Sequence, residues 1–349
     1  MGKSKFNHLL VIRLSAMGDV AMIVPVLSAL NNQFPHLKVT VLTKAFFSPL
    51  FEQLSNVNVY EADVNGKHKG ILGLWKLFKE LNGLGIDAVA DLHNVLRSSI
   101  LRGFFRSTKI PFVQIDKGRK EKRALTAHKN KVFMPLKSTF QRYADVFDKL
   151  GYPLNLEFSS PKSKAKLSEK ALQLVGKDNL KWIGIAPFAT YPGKMYPRDL
   201  MEEIIATLNN TKKYKILIFG GGKLENEIVK DWSASYQNCI NTIGKLSFRE
   251  ELGLISNLDL MLSMDSGNGH LAAIYDIPTV TLWGVTHPYA GFAPFNQPPE
   301  NSLLSDRTEY PLIPTSVYGN KMPEGYANVM STIEPDSVIQ LIRRILETD

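Results

Sequence analysis

Short runs of consecutive apolar residues alternate with longer stretches in which apolar positions recur every three or four residues. This rhythm holds through most of the 349-residue chain. In the first half, "LLVIRL" (9–14), "VTVLT" (39–43), "NVYEA" (58–62), "AVADL" (88–92) and "PFVQI" (111–115) predict strands,. The spacing predicts helices near 18–33, 70–82 and 138–150. A softer stretch, "YPLNLEFSSPKSKAKLSEKA" (152–171), is rich in Ser, Lys and Pro and is the predicted crossing between domains,. The rhythm then restarts with "WIGIA" (182–186), "KILIFG" (215–220), "CINTI" (239–243), "LMLSM" (260–264) and "TVTLWG" (279–284). Helices are predicted near 197–210, 223–236, 247–256 and 266–275. Strands that are apolar without alternation are covered on both faces, so the fold class is α/β, with parallel sheets between layers of helices. The expected domains are 1–160 and 161–335, two parallel-sheet halves with a cleft between them. A Pro-rich loop follows residue 290, and the capped amphipathic helix within 336–349 is expected to pack back toward the first domain.

In open parallel sheets, ligands bind beyond the carboxyl ends of strands, where helix N-termini turn backbone N–H groups outward. "MDSGNGHLAA" (264–273) meets that description. Ser266 or Asp265 can cap its helix, Gly267 and Gly269 let the backbone approach an anion, and the helix end favours phosphate. Asp265 would not favour a phosphate, so its carboxylate better suits sugar hydroxyls, while His270 either joins the site or packs against a neighbour. The turn equally reads as an ordinary capped helix, and it matches neither a Walker loop nor the dinucleotide fingerprint. "FATYPGKMYP" (188–197) carries Thr190 and sets Lys194 on a Pro-Gly turn at the same rim, where an ammonium can neutralise a leaving diphosphate. A loop lysine by itself is usually just solvated. In "FGGGKLENE" (219–227), Glu225 can accept from a ribose or base, or simply complement the helix dipole. "RLSAMGDVAM" (13–22) places Asp19 behind Gly18 where a strand hands over to a helix. A partly desolvated carboxylate there, facing a diphosphate site across the cleft, can take a proton from an incoming hydroxyl; dipole stabilisation is the plainer reading.

Charge sharpens the picture. The chain carries a net charge of +9, and residues 97–131 hold eleven Lys or Arg against two acidic residues. The remainder balances at 31 against 31, so the excess predicts a local surface for a polyanionic acceptor, with Arg97, Arg119, Lys120, Lys122 and Arg123 as candidates. Aromatic residues there, Phe104, Phe105 and Phe112, sit in apolar context, which gives base stacking little support, and no nucleic-acid partner is expected. The single cysteine, Cys239, excludes an internal disulfide and a Cys-based zinc site,. The N-terminus is basic and then apolar, but its apolar run is too short for a signal peptide, and Phe6 stands where myristoylation wants Ser or Thr. No apolar run approaches the roughly 20 residues of a membrane span. The expected location is cytoplasmic.

Four stretches together resemble one family. "LLVIRLSAMGDVAMIVPVLSAL" is similar to the N-terminal motif of bacterial lipopolysaccharide heptosyltransferases of glycosyltransferase family 9, and "GKMYP" to their donor-phosphate lysine loop. "TIGKLSFREELGLISNLDLMLSMDSGNGHLAAIYDIPTVTLWGVTHP" resembles the long C-terminal donor motif, with Asn268 and Gly269 departing from the usual Pro-Met. "DLHNVLRSSIL" and "KGRKEKRAL" are similar to the acceptor-side segments. The resemblance spans about residues 9–288 and implies a GT-B fold of two Rossmann-like domains and an inverting, metal-independent transfer without cofactor. It implies ADP-heptose as donor and the Kdo or heptose of the lipid A inner core as acceptor, with peripheral contact at the inner membrane surface. It makes Asp19 the general base and Lys194 the donor-phosphate ligand, and it groups Asp265, Ser266, Gly267 and His270 around the donor, with Gly18, Thr190 and Glu225 as further donor-side candidates. No Asp-x-Asp occurs in the chain. A non-catalytic nucleotide-sugar or polyanion-binding protein, or a nucleotide-sugar epimerase of the same fold, is the alternative.

Overall fold

The apolar runs become two parallel sheets. A computed structural model describes residues 6–347. Residues 1–5, on which the signal-peptide and myristoylation readings turn, lie outside the described residues. In chain order the first elements are β1 (His8–Ile12), α1 (Met17–Ala21), α2 (Ile23–Gln33), β2 (Lys38–Thr43), β3 (Val57–Glu61), α3 (Gly70–Asn82), β4 (Ala88–Asp91), α4 (Leu96–Phe105) and β5 (Phe112–Gln114). Next come α5 (Arg119–Leu125), α6 (Thr139–Lys149) and α7 (Glu169–Val175). The second series is β6 (Lys181–Ala186), α8 (Arg198–Asn210), β7 (Tyr214–Ile218), α9 (Lys223–Ser235), β8 (Cys239–Asn241), α10 (Phe248–Ile255), β9 (Leu260–Met264), α11 (Gly267–Ala273), β10 (Thr279–Trp283), β11 (Ser302–Leu304) and α12 (Pro335–Glu347).

The chain divides into two compact units. The first holds Met1–Lys117 and Thr139–Pro161, the second Gly118–Ser138 and Lys162–Asp349. Passage between them therefore occurs three times, where the apolar pattern predicts one crossing. In the first unit the strand order is β3-β2-β1-β4-β5. β1 is central, pairs in parallel with β2 and β4, and is buried at every residue, so it shows no polar alternation,. The helix predicted over 18–33 is two helices. Pro25 lies in the first turn of α2, where its missing N–H costs nothing, but it could not continue a helix from α1,. The second sheet has the order β11-β10-β9-β6-β7-β8, also parallel.

α12 belongs to the second unit, which corrects the expectation that it turns to the first domain. Its buried face, Val338, Ile339, Leu341, Ile342 and Leu346, joins the core around β6, β7 and α8. Glu347 receives hydrogen bonds from Lys213 Nζ at 3.1 Å and Tyr214 Oη at 3.0 Å. An apolar stripe of that width must be buried somewhere, and α8 supplies the nearest matching face.

The excursion Gly118–Ser138 is fastened to the second unit by its own cations. Lys131 Nζ donates to the carbonyls of Leu125, Leu312 and Pro314 at 3.0, 3.0 and 2.8 Å. Burial, helped by the charge of Arg307, pulls its pKa down to about 8. Lys122 is buried with its ammonium 4.2 Å from the Phe292 ring centroid,.

α10 gives a stability prediction. Its Ser247 cap pairs reciprocally with Glu250,, whereas burial pushes Glu251, one residue on, up to about 7. A raised carboxyl pKa means the native state holds the proton more tightly than the unfolded chain. Stability then falls as pH rises from the unfolded value of 4.5 through 7, and the full cost is present above 7,. Glu251→Gln is expected to stabilise the protein by about 1–2 kcal/mol at pH 8 and to change little at pH 4. Urea unfolding at the two pH values measures both.

Candidate active site

Each sheet reverses its strand order once, and of the predicted side chains Asp19, Lys194 and Asp265 lie at those two points. In the first unit the reversal lies between β1 and β4. The crevice beyond the carboxyl ends of such neighbours is the usual ligand site of open α/β sheets. Arg13 follows β1 and is nearly buried. It donates from Nε to Ser15 O and from Nη1 to Leu92 O, both at 2.7 Å, which ties the ends of β1 and β4 together. Its remaining nitrogen, Nη2, pairs with Asp19 Oδ2. Asp19 occupies the first turn of α1, and Oδ2 also accepts from Ala16 N at 3.4 Å. The capping role is therefore real, but it uses one oxygen only. Oδ1 accepts no hydrogen bond from the described residues, and the side chain is 27% exposed. The carboxylate is held in place and open to a ligand.

His93 is the other ionisable group at this point. Its Nδ1 accepts from Leu14 N at 3.4 Å, and burial, with the nearby Arg13 charge, lowers its pKa to about 3. It is neutral and weakly basic across the physiological range, so Asp19 is the accessible proton acceptor. Asp91 is fully buried and committed to the turn: Oδ1 accepts from the N–H groups of His93 and Asn94, and Oδ2 from Gln114 Nε2.

In the second unit the reversal lies between β6 and β9. Lys194, in the turn after β6, and Asp265, just after β9, meet there as an ion pair of 2.9 Å, both side chains mostly buried. The lysine loop is anchored from behind: Val285 N donates to Gly193 O and Thr315 N to Val285 O, both at 2.9 Å. Gly319, with φ +83°, packs on the stem of Lys194, where a Cβ would collide with Cγ and Cδ,. The Pro-rich segment left as loop by the sequence thus sets the position of the ammonium. An ammonium has three N–H groups and only one faces Asp265, so two remain for a phosphate.

Ser266 stands at the N-cap position of α11 but makes no cap hydrogen bond, against the expectation that it or Asp265 would cap. Its Oγ is buried without a partner among the described residues. Gly267 opens the helix. Gly269 does not face a ligand. It is buried on the sheet, where a Cβ would sit 2.6 Å from Ser263 Oγ, so its job is to let α11 lie close to β9. His270 is also buried. Thr190 is exposed on the loop after β6, and Glu225 closes the glycine turn after β7 by accepting from Gly221 N at 2.7 Å.

The basic candidates separate. Arg97 is exposed in the first turn of α4, in the first unit; Arg119, Lys120 and Arg123 are exposed on α5, in the second. Lys122 is no surface anion ligand, since its charge rests on Phe292. The single basic surface predicted from residues 97–131 is therefore a segment divided between two units. Among the described residues no group of three or more His, Cys, Asp or Glu could hold a metal ion.

Comparison with known proteins gives the family. The sequence model of glycosyltransferase family 9 (heptosyltransferase) matches residues 74–312, more than half of the chain. The chain belongs to glycosyltransferase family 9. As a family 9 glycosyltransferase it is 25% identical to the lipopolysaccharide core heptosyltransferase OpsX of Haemophilus influenzae over 83% of this chain and 82% of that one. Its fold is similar to that of a family 9 glycosyltransferase from Veillonella parvula, with a TM-score of 0.76 and 20% identity over 98% of both chains. It is also similar to ADP-heptose lps heptosyltransferase II of E. coli, with a TM-score of 0.68 and 19% identity over 97% of this chain and 98% of that one. The architecture is GT-B. Arg13, His93 and Gly319 are residues of this candidate site that sequence reasoning missed.

Proposed function

We propose that this enzyme transfers a heptose from ADP-heptose to the inner core of lipopolysaccharide, inverting the anomeric centre and using no metal. The observation that carries the reading is the Lys194–Asp265 pair at the strand-order reversal of a family 9 chain. In the proposed mechanism Lys194 shares its ammonium with the diphosphate and offsets the charge that grows there as the sugar–oxygen bond breaks. The buried hydroxyl of Ser266 and the open first turn at Gly267 supply further donors, and Asp265 holds the lysine and accepts from a sugar hydroxyl. Thr190, Glu225 and His270 line the donor side. Asp19, oriented by Arg13, takes the proton from the attacking acceptor hydroxyl, and Gly18 leaves room beside it. Arg97 in the first unit and, separately, the exposed cations of α5 in the second are the proposed contacts for the anionic acceptor. The names of the relatives support the sugar and the acceptor: OpsX is called a lipopolysaccharide core heptosyltransferase, and the E. coli structure names ADP-heptose.

A thermal-shift comparison of ADP, GDP and UDP tests the donor. ADP is expected to raise the melting temperature, since a ligand at a hundred times its Kd adds about 2.7 kcal/mol to native stability. A response to UDP or GDP but not ADP would overturn the assignment of the base.

A further inference from the structure

β10 departs from the unbroken apolar pattern of its neighbours. Its sequence "TVTLW" puts Val280 and Leu282 on one face, where they join the core shared with α12. Thr279 and Thr281 point to the other face. That face is not solvated, since neither threonine is more than 2% exposed. Ser302 of β11 pairs with Thr281 and turns the same way. These side chains floor a cavity of about 520 Å³, within the usual size range of small-molecule sites. It lies wholly in the second unit, bounded by the two outer strands, the loop that follows β10 and the excursion at Phe133. None of Thr190, Lys194, Glu225, Asp265 and Ser266 lines it.

The walls are stiff. Pro288, Pro294, Pro298 and Pro299 fix the backbone on one side,. Phe133, His287 and Tyr289 form a cluster of rings on another, with centroids 5.0, 4.9 and 4.4 Å apart. Onto this apolar space open three uncommitted donor groups. His287 is 3% exposed, and its Nδ1 accepts from Tyr289 N at 3.1 Å. The proton of the neutral ring is therefore on Nε2, and no described residue accepts from it,. Burial, with the nearby Arg307 charge, lowers the His287 pKa to about 4, so the ring is neutral at physiological pH. Thr281 Oγ1 likewise makes no hydrogen bond with a described residue. Arg307 lies with its guanidinium carbon 3.5 Å from the Phe133 ring centroid and spends Nε on Ile313 O at 3.1 Å. Its two terminal nitrogens donate to no described residue, and no Asp or Glu lines the cavity.

We propose that this cavity binds a small aromatic carboxylate, its ring between the proline and aromatic walls and its oxygens on Arg307, His287 Nε2 and Thr281 Oγ1. A wholly apolar ligand would leave those donors buried and unpaired, which costs free energy. A cation would meet the Arg307 charge with nothing to offset it. A flexible acyl chain would lose more rotamer freedom against rigid walls than a flat ring does. The guanidinium is already held by the Phe133 ring and the Ile313 carbonyl, so little ordering is left for a ligand to impose,. This site stands apart from the donor and acceptor assignments and does not rest on the proposed function.

The test is isothermal titration of the full-length enzyme with naphthoate. Naphthamide, of the same shape without the charge, and decanoate, with the charge on a flexible chain, are titrated beside it. Naphthoate is expected to bind once per chain, about tenfold or more tighter than either comparison compound, and equally well with ADP at saturation. Arg307→Met keeps an apolar stem over Phe133 and is expected to lower naphthoate affinity about tenfold or more. Ser302→Trp, on the half-buried edge strand, fills the floor of the cavity and is expected to abolish binding. In nitrogen NMR spectra, naphthoate should shift the His287 Nε2 signal of wild type and leave that of Ser302→Trp in place. Circular dichroism checks the fold, and the two variants change different parts of the site, so one can stand in if the other misfolds. Absence of naphthoate binding, equal affinity for the amide, tighter binding of decanoate, or displacement by ADP would each overturn the proposal. So would binding that survives both variants, since it would place the probe elsewhere on the protein.

Discussion

Asp19→Asn is expected to lower the transfer rate by about 10²–10⁴-fold, the usual contribution of a positioned general base, while ADP affinity stays near that of wild type. The amide keeps the shape of the carboxylate and can still accept from Arg13, so the local structure survives. What is lost is the ability of Oδ1 to take a proton. That oxygen accepts no hydrogen bond from the described residues, whereas Oδ2 is occupied by Arg13 and Ala16 N. A group that acts only in the transition state lowers kcat and kcat/KM together and leaves donor binding alone. Steady-state kinetics beside calorimetric ADP titration separate these quantities. His93 offers no substitute, because burial holds its pKa at about 3. Unchanged turnover in the asparagine variant would remove Asp19 from the mechanism.

The second large effect is at Lys194. Lys194→Ala is expected to lower kcat by about 10²–10³-fold, as removal of a preorganised charge-stabilising donor does elsewhere, and to weaken ADP binding measurably. Part of the loss comes from the residue left behind. Without its 2.9 Å partner, Asp265 presents an uncompensated carboxylate to the diphosphate,. The double variant Lys194→Ala/Asp265→Ala should therefore bind ADP better than Lys194→Ala alone, so the cycle is non-additive. Full additivity would mean the two side chains act independently and would contradict a shared phosphate site.

The fold was legible where buried strands carry continuous apolar runs, as in "LMLSM" for β9. It was illegible where charge or proline masks a short element. α4 buries Ser98, Leu101 and Phe105, a helical spacing hidden between Arg97 and Arg102, and β11 is three residues inside a Pro-rich segment. The helix at 70–82 has apolar residues on both faces, so its period gave its extent but not which side meets the core. Site residues directly behind an apolar run could be ranked by position, as Lys194 and Asp265 were. Arg13 read only as the residue that ends a run, since its partners at Leu92 and Asp19 exist only once β1 and β4 lie side by side. Gly319 stands 125 positions from the lysine it supports, a separation that no local pattern spans. Gly269 illustrates the opposite error, in which a glycine assigned to ligand approach serves helix-on-sheet packing.

The most direct test of the whole account is a single assay of the purified enzyme with ADP-heptose and a Kdo-containing lipid A acceptor in the presence of EDTA, the product being read by nuclear magnetic resonance at the new glycosidic bond. A heptosylated acceptor with inverted anomeric configuration, formed at the same rate with and without chelator, is the predicted result. Donor converted to free heptose or to an epimer with the acceptor unchanged, retained configuration, or turnover that stops with EDTA would contradict it.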